Sequence, residues 1–157
     1  MREIGQRVIS KMCVLLIMYC NVFAANAASD GVISVASQHN VNQTAERMLS
    51  ILQQKGMTVF NQVKHSDGAE KVGIELRDTQ LIIFGNPKVG SPLMKCQQLI
   101  ALDLPQKALI WQDEVGKVWI SYNDPQYLAK RHQVAGCDPV FGKVSGALAA
   151  ISKAAAN

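Results

Sequence analysis

A glycine-rich segment after an apolar run is the first feature of this sequence that could support chemistry. The run LIIF, residues 81–84, is followed by GNPKVGS, residues 85–91, and Ser91-Pro92 has the pattern of a helix start. Glycines leave backbone N–H groups accessible, the start of a helix attracts anions, and a lysine adds a full positive charge. The pattern predicts a pocket for a small anion such as phosphate, sulfate or a carboxylate. The residues assigned to this pocket are Gly85, Asn86, Lys88, Gly90 and Ser91.

The same segment also has a purely structural interpretation as a corner between a strand and a loop. Gly85 would let the backbone leave the sheet without a Cβ clash, Asn86 would hydrogen-bond its own turn, and Pro87 would fix the exit. The spacing of a nucleotide-binding P-loop is absent. Residue types alone leave both interpretations open.

His65 is the candidate general acid or base. It ends a predicted strand and precedes the turn Ser66-Asp67-Gly68, where Asp67 could orient its ring. The ordinary histidine pKa of about 6.5 suits proton transfer near neutral pH. A hydrogen-bonded structural histidine fits the same position.

Tyr122 ends a later strand just before Asn123-Asp124-Pro125, where its hydroxyl could join the same site. The alternative is a core tyrosine whose hydroxyl is satisfied at the rim of the sheet. The functional hypothesis therefore requires Gly85, His65 and Tyr122 to share one hollow at the sheet's rim.

No complete catalytic or metal motif accompanies these residues. The histidines and cysteines have no spacing typical of a metal site, and no nucleophile elbow is present. His132 has the position of a packed or half-exposed helical residue. The sequence thus predicts neither a metal nor a cofactor.

The first 27 residues have the features of a secretory signal peptide. Arg2, Arg7 and Lys11 precede the apolar run MCVLLIMYCNVFAA, and Ala25-Asn26-Ala27 supplies small residues at the −3 and −1 positions. The run has about 14 residues, whereas a membrane span needs about 20. We expect cleavage after Ala27, a periplasmic or secreted protein of residues 28–157, and no membrane association afterwards. An uncleaved N-terminal anchor is the alternative.

Cleavage would change the charge and the cysteine count. The formal net charge would fall from +4 to about +2 without basic clusters, which gives no case for nucleic-acid binding. Cys96 and Cys137 would remain, in a compartment that permits disulfides. A bridge between them would stabilise the fold by about 3–4 kcal/mol. Two buried free thiols fit the sequence as well, whereas the lack of a C-x-x-C motif disfavours a redox pair.

The remaining residues alternate between strand and helix patterns as one domain, in the order β-α-β-β-β-α-β-β-α-α. Short connections favour antiparallel neighbours, so the pattern predicts an α+β fold with a mainly antiparallel sheet of about six strands and helices mostly on one face. The run 81–84 has no polar side and is predicted to be central. The predicted strands are 32–36, 57–65, 72–76, 81–84, 107–112 and 117–122, and the first two predicted helices are 41–55 and 92–102.

Further helices are predicted after Asp124-Pro125 and Asp138-Pro139, because an aspartate cap followed by proline is typical of a helix start. If helices cover only one face of the sheet, the other face needs water or a partner. Apolar side chains at strand positions that could face outward favour a homodimer. They are Phe60, Leu109, Trp111 and Trp119.

Several strings, placed on these elements, resemble the family known as domain of unknown function 302. They are LIIFGNPKVGSPLM, ALDLPQKALIWQDEVGKVWISYNDP and the upstream segment KHSDGA, and the resemblance runs from about Gly31 to Val134. It implies a compact α+β fold similar to TATA-box-binding-protein-like domains, often dimeric. It implies no reaction, and the pair Cys96 and Cys137 is not a feature of that resemblance.

Three functions are compatible with these patterns. The first is an exported binding or accessory domain that holds a small anionic ligand near the corner Phe84-Gly85-Asn86-Pro87 and His65. The second is an enzyme of unassigned reaction that uses His65 as general acid or base. The third is a structural homodimerisation module.

Overall fold

A computed structural model describes residues 31–157, and the predicted signal peptide lies outside this part. The fold is α+β, with a five-stranded antiparallel sheet in the order β1-β5-β4-β3-β2. The elements are β1 Val32–Ser37, α1 Val41–Gln54, β2 Thr58–Lys64, α2 His65–Glu70, β3 Thr79–Gly85, α3 Pro87–Cys96, a 3₁₀ helix Gln98–Leu102, β4 Gln106–Gln112, β5 Val118–Asn123, α4 Pro125–Arg131 and α5 Asp138–Ala156. Among the described residues, no helix is both long and apolar enough to span a bilayer.

Alternating side chains along the strands create one buried and one open face of the sheet. Ile82, Ala108 and Ile120 point to the same side and are almost completely buried. Helices α1 and α5 lie against this side, and α3 and α4 pack against α5. The predicted arrangement of helices mostly on one face is therefore confirmed.

Helix α1 forms where local signals predict it. The Gln43 N–H donates to Asn40 Oδ1 at 2.8 Å, and the Asn40 N–H donates to Gln43 Oε1 at 3.4 Å. This reciprocal capping box satisfies two backbone donors at the start of the helix. The apolar face of α1, with Met48 and Leu52 fully buried, then docks on the sheet.

Residues 65–77 depart from the prediction. His65–Glu70 forms the short helix α2 in place of the expected turn, and residues 72–76 form no strand. The alternation of Val72, Ile74 and Leu76 has the period of a strand, but β2 pairs directly with β3 and leaves no place between them. These three side chains are exposed. The sheet has five strands for this reason, and not about six.

Helix α3 begins five residues earlier than predicted. Its N-cap is Asn86 and its first residue is Pro87, so Ser91 and Pro92 lie inside the helix. Both Asn86-Pro87 and Ser91-Pro92 have the pattern of a cap followed by proline, and the first of them sets the start. The predicted helix 92–102 is accordingly divided between α3 and the 3₁₀ helix. The run 81–84 was predicted to be the central strand, but β4 is central and β3 lies next to it.

The hairpin of β4 and β5 agrees with the prediction and forms the middle of the open face. Trp111 and Trp119 are cross-strand partners. The Trp111 Nε1–H donates to Ser121 Oγ at 2.9 Å, and the Trp119 Nε1–H donates to Asp113 Oδ2 at 2.7 Å. The hydrogen bond from Trp119 is the main reason why the pKa of the Asp113 carboxyl is lowered. The open face thus presents indole carbon surface, because the indole N–H groups are paired within the chain.

A disulfide joins Cys96, the last residue of α3, to Cys137, the residue before α5. The two Cα atoms are 6.6 Å apart and 41 positions separate the residues. Cys137 is buried, whereas Cys96 is exposed. The bridge fixes the end of one helix against the start of another, and both helices contribute to the site described next.

Candidate functional site

The corner after β3 opens onto a cavity of about 430 Å³. Helices α3 and α5 form two of its walls, and the sheet end where β3 stops and β4 begins forms a third. Large apolar side chains account for most of the lining, among them Met57, Phe60, Phe84, Leu93, Leu148 and Ile151. Polar side chains are few in the lining: Asn86, Ser91, Gln106 and Lys143. The cavity therefore suits a ligand with a large apolar part.

Phe60 enters the cavity wall because strand β2 is irregular. The register between β2 and β3 shifts between Val59 and Asn61, so that Phe60 does not take part in the regular alternation. Its ring lies beside the position that a Cβ on Gly85 would occupy, at 3.7 Å. Phe60 is 52% exposed, as expected of a side chain that could face outward, and it also lines the cavity.

Gly85 and Gly90 leave open space at the corner, and neither is needed to avoid a steric clash of a Cβ. A Cβ added at Gly85 would meet Pro105 and Phe60 at the ordinary contact distances of 3.6 and 3.7 Å, and one at Gly90 would meet nothing within 4 Å. The structural interpretation of Gly85 as a position that cannot accept a Cβ is therefore not supported. Both glycines line the cavity, where their lack of side chains keeps it open.

The backbone donors at the start of α3 are already occupied. The Lys88 N–H donates to Asn86 Oδ1, and the N–H groups of Val89 and Gly90 both donate to the Asn86 carbonyl, all at 2.9 Å. Pro87 has no N–H. An anion at this helix start would have to displace these bonds, so a side chain is the better anchor for negative charge.

The structure brings four of the five proposed anion-site residues to this cavity. Gly85, Asn86, Gly90 and Ser91 line it, but Ser91 is no longer at the helix start. Lys88 is exposed and is not among the lining residues. The lysine that lines the cavity is Lys143 on α5, which the sequence did not single out.

His65 lies at the opposite end of the sheet from the cavity. Strand β2 pairs Thr58 with Gly85 at the cavity end and Lys64 with Gln80 at the other end, next to His65. At about 3.3 Å per residue, the two ends are roughly 20 Å apart. His65 is also exposed, as the first residue of α2. The hypothesis that His65 shares a hollow with the Gly85 corner is therefore wrong. His65 and Gly85 lie at opposite ends of the paired strands β2 and β3.

Tyr122 is buried on the helix side of β5 and is not among the lining residues of the cavity. Burial raises the pKa of its phenol, and the nearby Ser152 hydroxyl on α5 lowers it in part. Ser152 Oγ has no partner within the distance and angle of a hydrogen bond among the described residues. Tyr122 therefore occupies the position of a core tyrosine, the alternative that its residue type left open.

A histidine–aspartate pair supports the wall of the cavity, and no local sequence pattern indicates it. His132 Nε2 contacts Asp103 Oδ2, and their side chains are only 7% and 14% exposed. Lys107 Nζ donates to the carbonyls of Asp103 and Pro105, both at 3.1 Å. These bonds tie the end of α4 to the loop that carries Leu104 and Pro105 into the cavity lining. His132 and Asp103 are 29 positions apart, so no local pattern could indicate the contact.

Comparison with known families and proteins gives one family match. The model of the family described as "Domain of unknown function DUF302" matches residues 33–151. This range includes all five strands, except for the first residue of β1, and every residue that lines the cavity.

Curated relatives match over a shorter range. A segment of 110 residues, 70% of this chain, is 46% identical to part of "Fluoride-specific ion channel FluC 1" of Brucella suis biovar 1 (strain 1330) and covers 43% of that protein. The same identity and coverage of this chain apply to "Fluoride-specific ion channel FluC 2" of Brucella melitensis biotype 1, of which 41% is covered. The chain therefore spans less than half the length of these relatives.

A solved structure with the same fold is that of an uncharacterized conserved DUF302 protein from Bacillus stearothermophilus. The TM-score is 0.73 at 20% sequence identity, over 81% of this chain and 99% of that one. At this identity the similarity concerns the fold alone.

Proposed function

This chain belongs to the DUF302 family, whose function is unknown, and we propose that it is an exported binding domain that holds a small, largely apolar ligand in the cavity beside the Phe84–Pro87 corner. The observation that carries this proposal is the cavity itself. Its volume of about 430 Å³ lies within the range of about 300–1,000 Å³ that is typical of small-molecule sites. Such sites are mostly apolar with a few polar groups, as this lining is.

The enzyme hypothesis has less support than the binding hypothesis. A general acid or base must come within hydrogen-bond reach of the ligand, and His65 lies at the far end of β2. The His132–Asp103 pair is absent from the cavity lining, and His132 Nε2 is engaged with Asp103 Oδ2, which also contacts Arg131. The residues that do line the cavity can hold and orient a ligand, which is what a binding domain requires.

Binding of a neutral fluorescent probe tests the proposal. N-phenyl-1-naphthylamine is apolar and uncharged, and we expect its emission to rise at micromolar concentration when it enters the cavity, because apolar burial drives its transfer from water. Phosphate, sulfate and fluoride at millimolar concentration should not displace it. The protein should be purified after expression of the full chain, from whichever cell fraction contains it. No saturable rise in emission would contradict the proposed function.

An accessory role beside a membrane channel is a second candidate function. The observation that favours it is the similarity to part of two proteins whose names are those of fluoride-specific ion channels. Fluoride that stabilises the folded chain against heat, where chloride at equal ionic strength does not, would favour this role over the binding of an apolar ligand.

Export is proposed from the predicted signal peptide, and the mass of the purified product tests it. Expression of the full chain in a bacterium should give a product in the periplasmic fraction that begins at Ala28, within a residue or two, as measured by intact-mass spectrometry. A product in the cytoplasm that retains Met1 would contradict export.

A second copy of this chain is the proposed occupant of the open sheet face. Its apolar side chains, such as Ile83, Leu109 and Trp111, are only half-buried, and an apolar face of this kind can pack on an identical face. Native mass spectrometry should give a dimer at micromolar concentration. The Ile83→Lys variant should be monomeric yet retain probe binding, because Ile83 is absent from the cavity lining. A monomeric wild-type protein would contradict the dimer.

A further inference from the structure

We infer that the ligand of the cavity is an anionic amphiphile, with a single apolar chain inside and a carboxylate head beside Lys143. This inference rests on the proposed function and adds the chemical class of the ligand. It is carried by three properties of the described cavity: the sign of the charge in its lining, the position of that charge, and the size of the apolar space behind it.

The charge in the lining is entirely positive. Lys143 is its one lysine or arginine, and no aspartate or glutamate is among the lining residues. Its ammonium has no carboxylate within 4 Å among the described residues. A negatively charged head group would therefore find a partner here and no opposing charge in the lining, whereas a cationic head group would be repelled.

Lys143 lies where the cavity meets solvent. It is exposed, whereas its neighbour Val144 and the next residues on the same face of α5, Leu148 and Ile151, are buried. One helix thus presents a charge at the mouth and apolar side chains in the interior. Ser91 and Gln106 also line the cavity and supply polar groups that could contact a head group. The order along α5 matches the order of a fatty acid from its carboxylate to its methyl end.

The size of the cavity limits the length of the chain. A water-sized group takes about 30 Å³, so about 430 Å³ holds roughly fourteen such groups. An unbranched acid of about 12 carbons, with roughly fourteen non-hydrogen atoms, would fill this space. Each buried methylene should tighten binding about fourfold until the cavity is full, and further methylenes should add little.

Displacement of the neutral probe by alkyl ligands of matched length tests this inference. The ligands are octanoate, decanoate, dodecanoate and tetradecanoate, with decanol as the uncharged partner of decanoate, all below their micelle concentrations. We expect decanoate to bind about two- to fivefold more tightly than decanol, because a carboxylate paired with an exposed lysine gains up to about 1 kcal/mol. Affinity should rise from octanoate towards dodecanoate and level off by tetradecanoate.

Two lysine variants separate the head-group contact from the general charge of the protein. Lys143→Met keeps the apolar stem and removes the ammonium, so decanoate should lose its preference over decanol. Lys153→Met removes an equal charge from an exposed site on the same helix that is absent from the lining, and the preference for decanoate should remain.

The outcomes distinguish this inference from the proposed function. Equal affinities of decanoate and decanol for the wild-type protein, or a preference that survives Lys143→Met, would overturn the anionic class and leave an apolar binding domain. Failure of the probe and of every alkyl ligand to bind would overturn the binding domain as well.

Discussion

Replacing Ala147 by tryptophan is expected to abolish ligand binding while the protein stays folded. Ala147 lies on α5 between Val144 and Leu148, in the cavity lining, and is half-buried. A tryptophan side chain at this position would occupy the apolar space that the ligand needs. Excluding as little as three methylenes of ligand would cost about 2.4 kcal/mol of binding free energy, which is about a 50-fold rise in Kd.

The same substitution two residues further along the helix is the matched control. Ala149 is exposed and lies on the other side of α5, so Ala149→Trp adds an identical side chain outside the cavity. We expect Ala149→Trp to bind the probe and decanoate as the wild type does. Thermal unfolding of both variants should be cooperative, because the indole of Ala147→Trp enters existing space and not a close-packed core. Unchanged affinity in a folded Ala147→Trp protein would contradict the cavity as the binding site.

Loss of the disulfide between Cys96 and Cys137 is expected to lower the free energy of unfolding by about 3–4 kcal/mol. The bridge closes a loop of 41 positions, and an open loop of this length gives the unfolded chain more conformational entropy. The measurement is urea unfolding of the double variant Cys96→Ala/Cys137→Ala against the wild type. Reductant should shift the wild-type midpoint towards that of the variant and leave the variant unchanged.

The disulfide should also affect the site, since α3 and α5 both line the cavity and the bridge joins them. We expect weaker probe binding in the double variant at urea concentrations where it remains folded. A wild-type midpoint that does not respond to reductant would contradict the bridge and its contribution to stability.

Local sequence signals predicted the elements that depend on local contacts. The capping box of Asn40 and Gln43 starts α1, and the turn at Asp113-Glu114-Val115-Gly116 gives the hairpin of β4 and β5. In both cases the deciding hydrogen bonds join residues three or four positions apart. The α+β class follows from the order of such elements and is confirmed by the structure and by the family match.

Competing local signals explain the elements that the sequence misplaced. Asn86-Pro87 and Ser91-Pro92 are both able to start a helix, and the sequence does not say which one does. Residues 72–76 alternate as a strand does, but pairing depends on whether a neighbouring strand has a free edge there, which is a property of the whole sheet.

The candidate site was only half predictable, because its other half comes from distant parts of the chain. The corner at Gly85 and Asn86 carries a local signal and does reach the cavity. Lys143 comes from a helix more than 50 positions later, and no local pattern indicates that this helix leaves a space where it packs. The position of His65 was mispredicted for the same reason. Which end of the sheet His65 occupies depends on how β2 pairs with β3, and that pairing is not a local property.

Methionine methyl resonances test the central claim, that the cavity beside the corner binds an apolar ligand, most directly. Met57 and Met94 line the cavity, whereas Met48 is fully buried in α1 and is absent from the lining. In a protein labelled with ¹³C at its methionine methyl groups, titration with decanoate should shift the resonances of Met57 and Met94 with one common Kd and leave that of Met48 in place. Saturating decanoate that moves neither Met57 nor Met94 would contradict the account.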